Sequence, residues 1–116
     1  MPGATRASMG GMELVSVTTT ADDIEQLARL ARSLVEERLI ACANLAPGVR
    51  SIYRWEGTIN DEPEALAVLH TTADRAERVV VRVRELHPYD TPQILVTPVL
   101  AADPGYADWV REATRG

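Results

Sequence analysis

The chain has 116 residues, 46 % of them hydrophobic and 25 % charged, with a formal net charge of −5. This composition is typical of one globular domain. The acidic balance argues against a nucleic-acid-binding protein, and no apolar run reaches the roughly 20 residues of a membrane span. A single cysteine, Cys42, excludes an internal disulfide and a metal cluster built from cysteines alone.

The N-terminal segment from Met1 to Gly11 is small and polar, and it lacks the apolar centre of a signal peptide. We therefore expect a flexible tail over residues 1–11, followed by a single domain over residues 12–116. A cytoplasmic location is expected for the same reason.

A strand and a helix are predicted first. β-forming residues from Glu13 to Thr19 indicate the strand. Thr20 is a candidate N-cap for the helix, with Asp23 three residues further on. Apolar residues then recur at helical spacing to about Arg38, at Ile24, Leu27, Ala28, Ala31, Leu34 and Val35.

A long hairpin follows. Leu39 to Leu45 predicts a second strand, which bends through a bulge at Pro47-Gly48 and resumes at Val49. Glu56-Gly57 forms a two-residue turn into a third strand. Each arm has room for about 12 to 15 residues, whereas an ordinary strand has about 5 or 6. The far ends of such arms are predicted to pair with another copy of the chain.

The remaining elements complete a recognisable order. Thr72 is predicted to cap a second helix that Pro88 ends, Gln93 to Leu100 predicts a fourth strand, and Asp103-Pro104 begins a terminal helix. The order βαββαβ predicts an α+β, ferredoxin-like sandwich with two helices on one sheet face. The other face is apolar and only partly covered by the last helix, so association is expected to bury it.

Several segments resemble the CutA family of divalent-cation tolerance proteins: residues 34–48, 51–57, 71–72 and 85–94. The resemblance extends from about Met12 to Val110. It implies a ferredoxin-like fold and a tight homotrimer formed by sheet pairing between subunits. It also implies an architecture akin to PII signalling proteins, a link to tolerance of copper and other divalent cations, and no enzymatic activity.

His87, followed by Pro88-Tyr89, is the strongest candidate metal ligand. It lies between a helix and a loop, where functional sites concentrate, and imidazole suits Cu(II). The alternative is a histidine that closes the helix C-terminus. Family members with a proposed copper site have a first-strand cysteine and paired histidines, where this chain has Thr18 and Leu86. Only weak binding of Cu(II) or another divalent cation is therefore expected.

A ligand cleft between subunits is the second predicted site, lined by aromatic and titratable residues. The alternatives are that the two hairpin aromatics anchor an interface and that His70 and Cys42 are structural, Cys42 as a small buried hydrophobe. Glu62 and Glu64 are interpreted as solvated charges. The predicted cleft residues are Tyr53, Trp55, Glu56, His70, His87 and Tyr89.

Three functions follow from these patterns. The favoured one is a homotrimeric divalent-cation tolerance protein that binds metal or a small ligand at subunit clefts. The second is a PII-like sensor that binds a small anion through Arg50 and Arg54, without a metal role. An enzyme using His87 with Glu56 or Asp90 ranks last, because nothing in the spacing requires it.

Overall fold

The computed structural model describes residues 13–116, so the tail predicted at residues 1–11 lies outside the described residues. The predicted order of elements is confirmed. In chain order they are β1 (Leu14–Ala21), α1 (Ile24–Glu36), β2 (Cys42–Trp55), β3 (Thr58–Thr72), a 3₁₀ turn (Ala73–Arg75), α2 (Ala76–Leu86), β4 (Ile94–Pro98) and α3 (Pro104–Ala113).

The four strands form one sheet in the order β2-β3-β1-β4, and every neighbouring pair is antiparallel. This is the ferredoxin-like arrangement expected from the sequence. Helices α1 and α2 bury alternate side chains of the sheet in a main core of aliphatic residues. That core includes Val17, Leu27, Leu34, Leu69, Val79 and Val83.

The terminal helix α3 builds a second, smaller core. Ala107 and Val110 of this helix pack with Leu14 at the start of β1 and with Ala41 just before β2. Asp103 caps α3, and its carboxylate accepts a hydrogen bond of 3.0 Å from the Tyr106 backbone N–H. The cap predicted at Asp103-Pro104 is therefore confirmed.

The caps of the two long helices differ from the prediction. Thr20 is a buried residue of β1, and Asp23 is the N-cap of α1, with its carboxylate accepting from the Glu25 N–H at 2.9 Å. The strand runs two residues longer than propensity indicated because β3 continues to pair with it up to Ala21. Thr72 precedes the 3₁₀ turn, but its hydroxyl donates to the Asp74 carboxylate instead of capping a backbone N–H.

The long hairpin dominates the sheet. β2 pairs with β3 from Cys42 opposite His70 to Trp55 opposite Thr58, interrupted by the predicted bulge between Ala46 and Val49. β1 ends at Ala21, opposite Ala65. Within the described chain, the outer edge of β3 over residues 58–64 therefore has no strand beside it. We call this projecting part of the hairpin, residues 49–64, the overhang.

The turn of the hairpin requires left-handed backbone at two positions. Gly57 has φ +80°, as the sequence predicts, and Glu56 has φ +51°. Positive φ at both central residues is characteristic of the type I′ turn, whose twist matches that of the flanking strands. Glutamate is a poor residue for this conformation because its Cβ crowds the backbone, at a cost of about 1 kcal/mol.

Replacing Glu56 by Asn is expected to stabilise the protein by about 0.5–1 kcal/mol, because Asn tolerates left-handed backbone. Urea unfolding at one fixed protein concentration measures the change. Glu62→Asn is the matched control, since Glu62 is exposed in extended backbone. No gain from Glu56→Asn relative to this control would show that the turn carries no strain.

Candidate functional site

His87 is a buried residue that closes α2. Its backbone N–H bonds to the Val83 carbonyl at 2.9 Å, and its side chain is 7 % exposed. Nδ1 accepts a hydrogen bond of 3.1 Å from the Tyr89 N–H, so Nε2 carries the proton and donates to the Thr20 carbonyl at 2.8 Å. Both ring nitrogens are therefore engaged by the backbone. Metal binding by His87 stays a prediction, and it requires one of these hydrogen bonds to break.

Tyr89 reaches from the loop after α2 to the base of the overhang. Its ring meets the His87 ring edge-on, with centroids 4.8 Å apart. Its hydroxyl donates to one oxygen of Glu64 at 2.7 Å, and Ser51 donates to the other oxygen at 2.7 Å. The interpretation of Glu64 as a solvated charge is wrong, because both of its oxygens accept hydrogen bonds from side chains.

The ionisation of this pair is set by burial and hydrogen bonding. Burial acts to raise the pKa of Glu64, but the opposing interactions, led by the hydrogen bonds from Ser51 and Tyr89, bring the pKa below its ordinary value of 4.5. Burial and the neighbouring Glu64 carboxylate raise the pKa of Tyr89 well above its ordinary value. Near neutral pH the pair is therefore a charged acceptor with a neutral donor, which is a strong type of hydrogen bond.

The predicted cleft residues fall into three separate places within one chain. Tyr53, Trp55 and Glu56 lie at the tip of the hairpin, and Trp55 is 50 % exposed. His87 and Tyr89 lie at the base of the overhang. His70 lies near the opposite end of β3, twelve residues from Thr58 and so about 40 Å along an extended strand. A single chain does not bring these residues together.

His70 and Cys42 lie directly opposite each other on β3 and β2. The Nε2 of His70 is 2.9 Å from the Asn44 amide oxygen, and burial lowers the pKa of the imidazole. Cys42 is half-buried and packs against the smaller core beside α3, in line with its interpretation as a small hydrophobic residue. Tyr106 of α3 meets the His70 ring edge-on, with centroids 6.2 Å apart.

The predicted anion-binding arginines are not equally available. Arg50 donates from Nε and Nη2 to the two carboxylate oxygens of Asp61, both at 2.8 Å. That pairing raises the pKa of Arg50 and lowers that of Asp61. Arg54 is exposed on β2. The chain thus uses one of the two arginines to hold its own hairpin together.

Two further features of residues 13–116 bear on function. No group of three or more His, Cys, Asp and Glu side chains is placed to hold a metal ion in this part of the chain. Among the same residues, no helix is both long enough and apolar enough to cross a membrane.

The antiparallel β2-β3-β1-β4 sheet, the two helices on one face and the projecting hairpin define a ferredoxin-like α+β protein. Comparison with known proteins identifies the family within that class. The family model described as CutA1 divalent ion tolerance protein matches residues 15–113. The chain therefore belongs to the CutA1 divalent ion tolerance protein family, as its motifs indicated.

Individual relatives agree over nearly their whole length. The divalent-cation tolerance protein CutA of Thermus thermophilus is 39 % identical over 102 residues, which cover 88 % of this chain and 97 % of that protein. The CutA protein of Pectobacterium atrosepticum is 37 % identical, covering 89 % and 94 %. The crystal structure of CutA1 from Ehrlichia chaffeensis superposes with a TM-score of 0.85 at 32 % identity, covering 89 % of this chain and 96 % of that one.

Replacing Tyr89 by Phe is expected to lower stability by about 1–2 kcal/mol at neutral pH, because the half-exposed Glu64 carboxylate loses a hydrogen bond. The lowered pKa of Glu64 means that its ionised form stabilises the fold above pH 4.5, and that this contribution disappears as the pH falls through the folded-state value. The loss of unfolding free energy caused by Tyr89→Phe should therefore be smaller at acidic pH.

Urea unfolding of wild type and Tyr89→Phe at pH 7.5 and about pH 3.5 measures this difference. Tyr53→Phe is the control, since Tyr53 is exposed on the overhang, and it should change stability at neither pH. An equal deficit for Tyr89→Phe at both pH values would attribute the loss to packing instead of to the charged hydrogen bond.

Proposed function

We propose that the protein is a homotrimer that takes part in the response to divalent cations, binding metal or a small ligand weakly at clefts between subunits. The names of its relatives support a role in divalent-cation tolerance. We further propose that it acts by binding, without catalysis, and in the cytoplasm.

The overhang is the observation that carries the proposal. An unpaired strand edge presents a row of N–H and C=O groups that another strand readily completes. Large apolar side chains are also exposed there, with Ile52 at 64 % and Ile59 at 66 %. Exposed apolar surface beside an open edge is typical of a protein–protein interface. A second copy of the chain satisfies both requirements, and the family resemblance suggests threefold closure.

The position of Tyr89 and Glu64 connects this edge to a ligand site. Both side chains lie where β3 leaves β1 and its outer edge becomes unpaired. A neighbouring strand that pairs along residues 58–64 would border them. The proposed cleft is therefore formed at the base of the overhang, between this loop and the adjoining subunit.

The PII-like alternative receives less support. An anion site needs cationic side chains whose charge is available. Arg50 does not meet this requirement well, because its guanidinium already forms a bidentate pair with the Asp61 carboxylate. The overhang itself is equally compatible with either function, so the distinction depends on ligand binding. The experiments below therefore test assembly and metal binding separately.

Sedimentation velocity at micromolar concentration should give a species about three times the chain mass of 12.7 kDa. Ile59→Glu should shift it towards monomer, because a charge on the exposed apolar edge opposes pairing. Val81→Glu is the control, since Val81 is also an exposed aliphatic residue, at 54 %, but lies on α2. A folded wild-type monomer at this concentration would contradict the proposal.

Calorimetric titration with Cu(II) tests the metal-binding part. Wild type is expected to bind weakly, and His87→Gln is expected to bind at least several-fold more weakly. Because His87 is buried, circular dichroism should first show that the variant is folded. Identical isotherms for folded wild type and His87→Gln would remove His87 from the metal site.

A further inference from the structure

We propose that Cys42 and His70, supported by Tyr106, form a second metal site for a borderline or soft divalent ion of the Zn²⁺ and Cd²⁺ class, distinct from the cleft at His87. The site lies on the sheet face covered by α3, at the opposite end of β3 from the overhang. The sequence predicted His70 as a cleft residue, but the structure places it near the opposite end of β3 from Glu64 and Tyr89. Separate contacts within β2, β3 and α3 hold the side chains of this site in place.

The first observation is the register of the hairpin. Cys42 on β2 and His70 on β3 are directly paired across the two strands, on the same face of the sheet. Directly opposed residues have Cβ atoms about 4.5–5.5 Å apart. Zinc takes thiolate sulfur at about 2.3 Å and imidazole nitrogen at about 2.0–2.1 Å. One ion placed between the two side chains can therefore reach both of them.

The second observation is the tautomer of His70. The Asn44 amide oxygen, 2.9 Å from Nε2, accepts a hydrogen bond and so fixes the ring proton on that nitrogen. Nδ1 then carries a lone pair, and within residues 13–116 no hydrogen bond to it is formed. A metal-ligating histidine commonly donates its other N–H to an oxygen acceptor in this way. Asn44 supplies that orienting acceptor before any metal binds.

The third observation is the position of Tyr106 over the pair. Asp103 holds Tyr106 in the first turn of α3 by accepting its backbone N–H. The phenol ring stands edge-on to His70, with centroids 6.2 Å apart, and limits the movement of the imidazole.

These observations also define what kind of site this is. Two ligands from the chain leave the remaining coordination positions to water, so the ion should be exchangeable, unlike that of a closed four-ligand structural site. In the single chain Cys42 and His70 are half-buried and Tyr106 is 38 % exposed, so the pair is not sealed inside the chain's own core. Binding replaces the thiol proton by the metal and requires no redox partner.

The experiment is a Cd²⁺ titration of the full chain, followed by the ultraviolet thiolate-to-cadmium charge-transfer band. The protein contains one cysteine and two histidines. The charge-transfer band therefore comes from Cys42 alone, and an effect of His70→Gln on binding is assigned to that one histidine. Wild type should develop the band with one equivalent per chain. Cys42→Ser should abolish it, and His70→Gln should keep the band but weaken binding at least tenfold. Glu62→Gln, which removes an exposed carboxylate of the overhang, should titrate like wild type.

Two further measurements make the result decisive. Cd²⁺ should protect Cys42 from alkylation in wild type and much less in His70→Gln. Nitrogen NMR of the imidazole should show a shift at His70 Nδ1 and little change at Nε2.

The proposal is overturned if Cys42→Ser binds Cd²⁺ like wild type, or if His70→Gln and wild type have equal affinities. Those outcomes leave the subunit cleft untouched, because its test depends on His87 and on sedimentation. Conversely, a monomeric wild type that still forms the charge-transfer band would overturn the proposed function and retain this site.

Discussion

Backbone pairing between β2 and β3 is the interaction on which the rest of the structure depends. It runs over strands of 14 and 15 residues, and it continues past the last pair between β1 and β3. Near the body of the sheet this ladder forms part of the main core. Beyond the pair formed by Ala21 and Ala65, no other strand of residues 13–116 supports this ladder. Its exposed edge and apolar side chains are the surface that the proposed assembly would cover.

The loop after α2 connects the part of the hairpin that lies within the sheet with the overhang. His87 is tied to the end of β1 through the Thr20 carbonyl, and Tyr89 is tied to the overhang through Glu64. The same short segment thus fixes the end of the compact sheet and the beginning of the projecting part. This dual role explains why a histidine that suggests metal chemistry in the sequence is held by two backbone hydrogen bonds in the structure.

The two ends of β3 consequently differ in chemistry. At the overhang, a carboxylate and a phenol form a closed hydrogen-bonded pair next to an unpaired edge. At the other end, a thiol and an imidazole face each other under the first turn of α3. The bulge between Ala46 and Val49 separates these regions and bends the strand between them. One hairpin therefore positions both an exposed apolar edge and a thiol–imidazole pair.

Hydrophobic periodicity and the positions of Gly and Pro in the sequence determined the order of elements, the bulge and the Glu56-Gly57 turn, because these features depend on local backbone preferences. They did not locate the cap of α1. Thr20 and Asp23 are both good caps locally, and only pairing with β3 commits Thr20 to the strand. The positive φ of Glu56 was likewise missed, because the turn geometry imposes it against the preference of the residue.

The same distinction between local sequence pattern and tertiary structure applies to the candidate sites. The sequence alone identified His87, His70, Cys42 and Tyr89 as residues with useful chemistry, and its motifs identified the family. Only the tertiary structure decided which of them meet, because partners such as Glu64 and Tyr89, or Cys42 and His70, are 25 and 28 residues apart in the chain. Strand register and helix docking set those distances, and neither is encoded in the local pattern around any one residue.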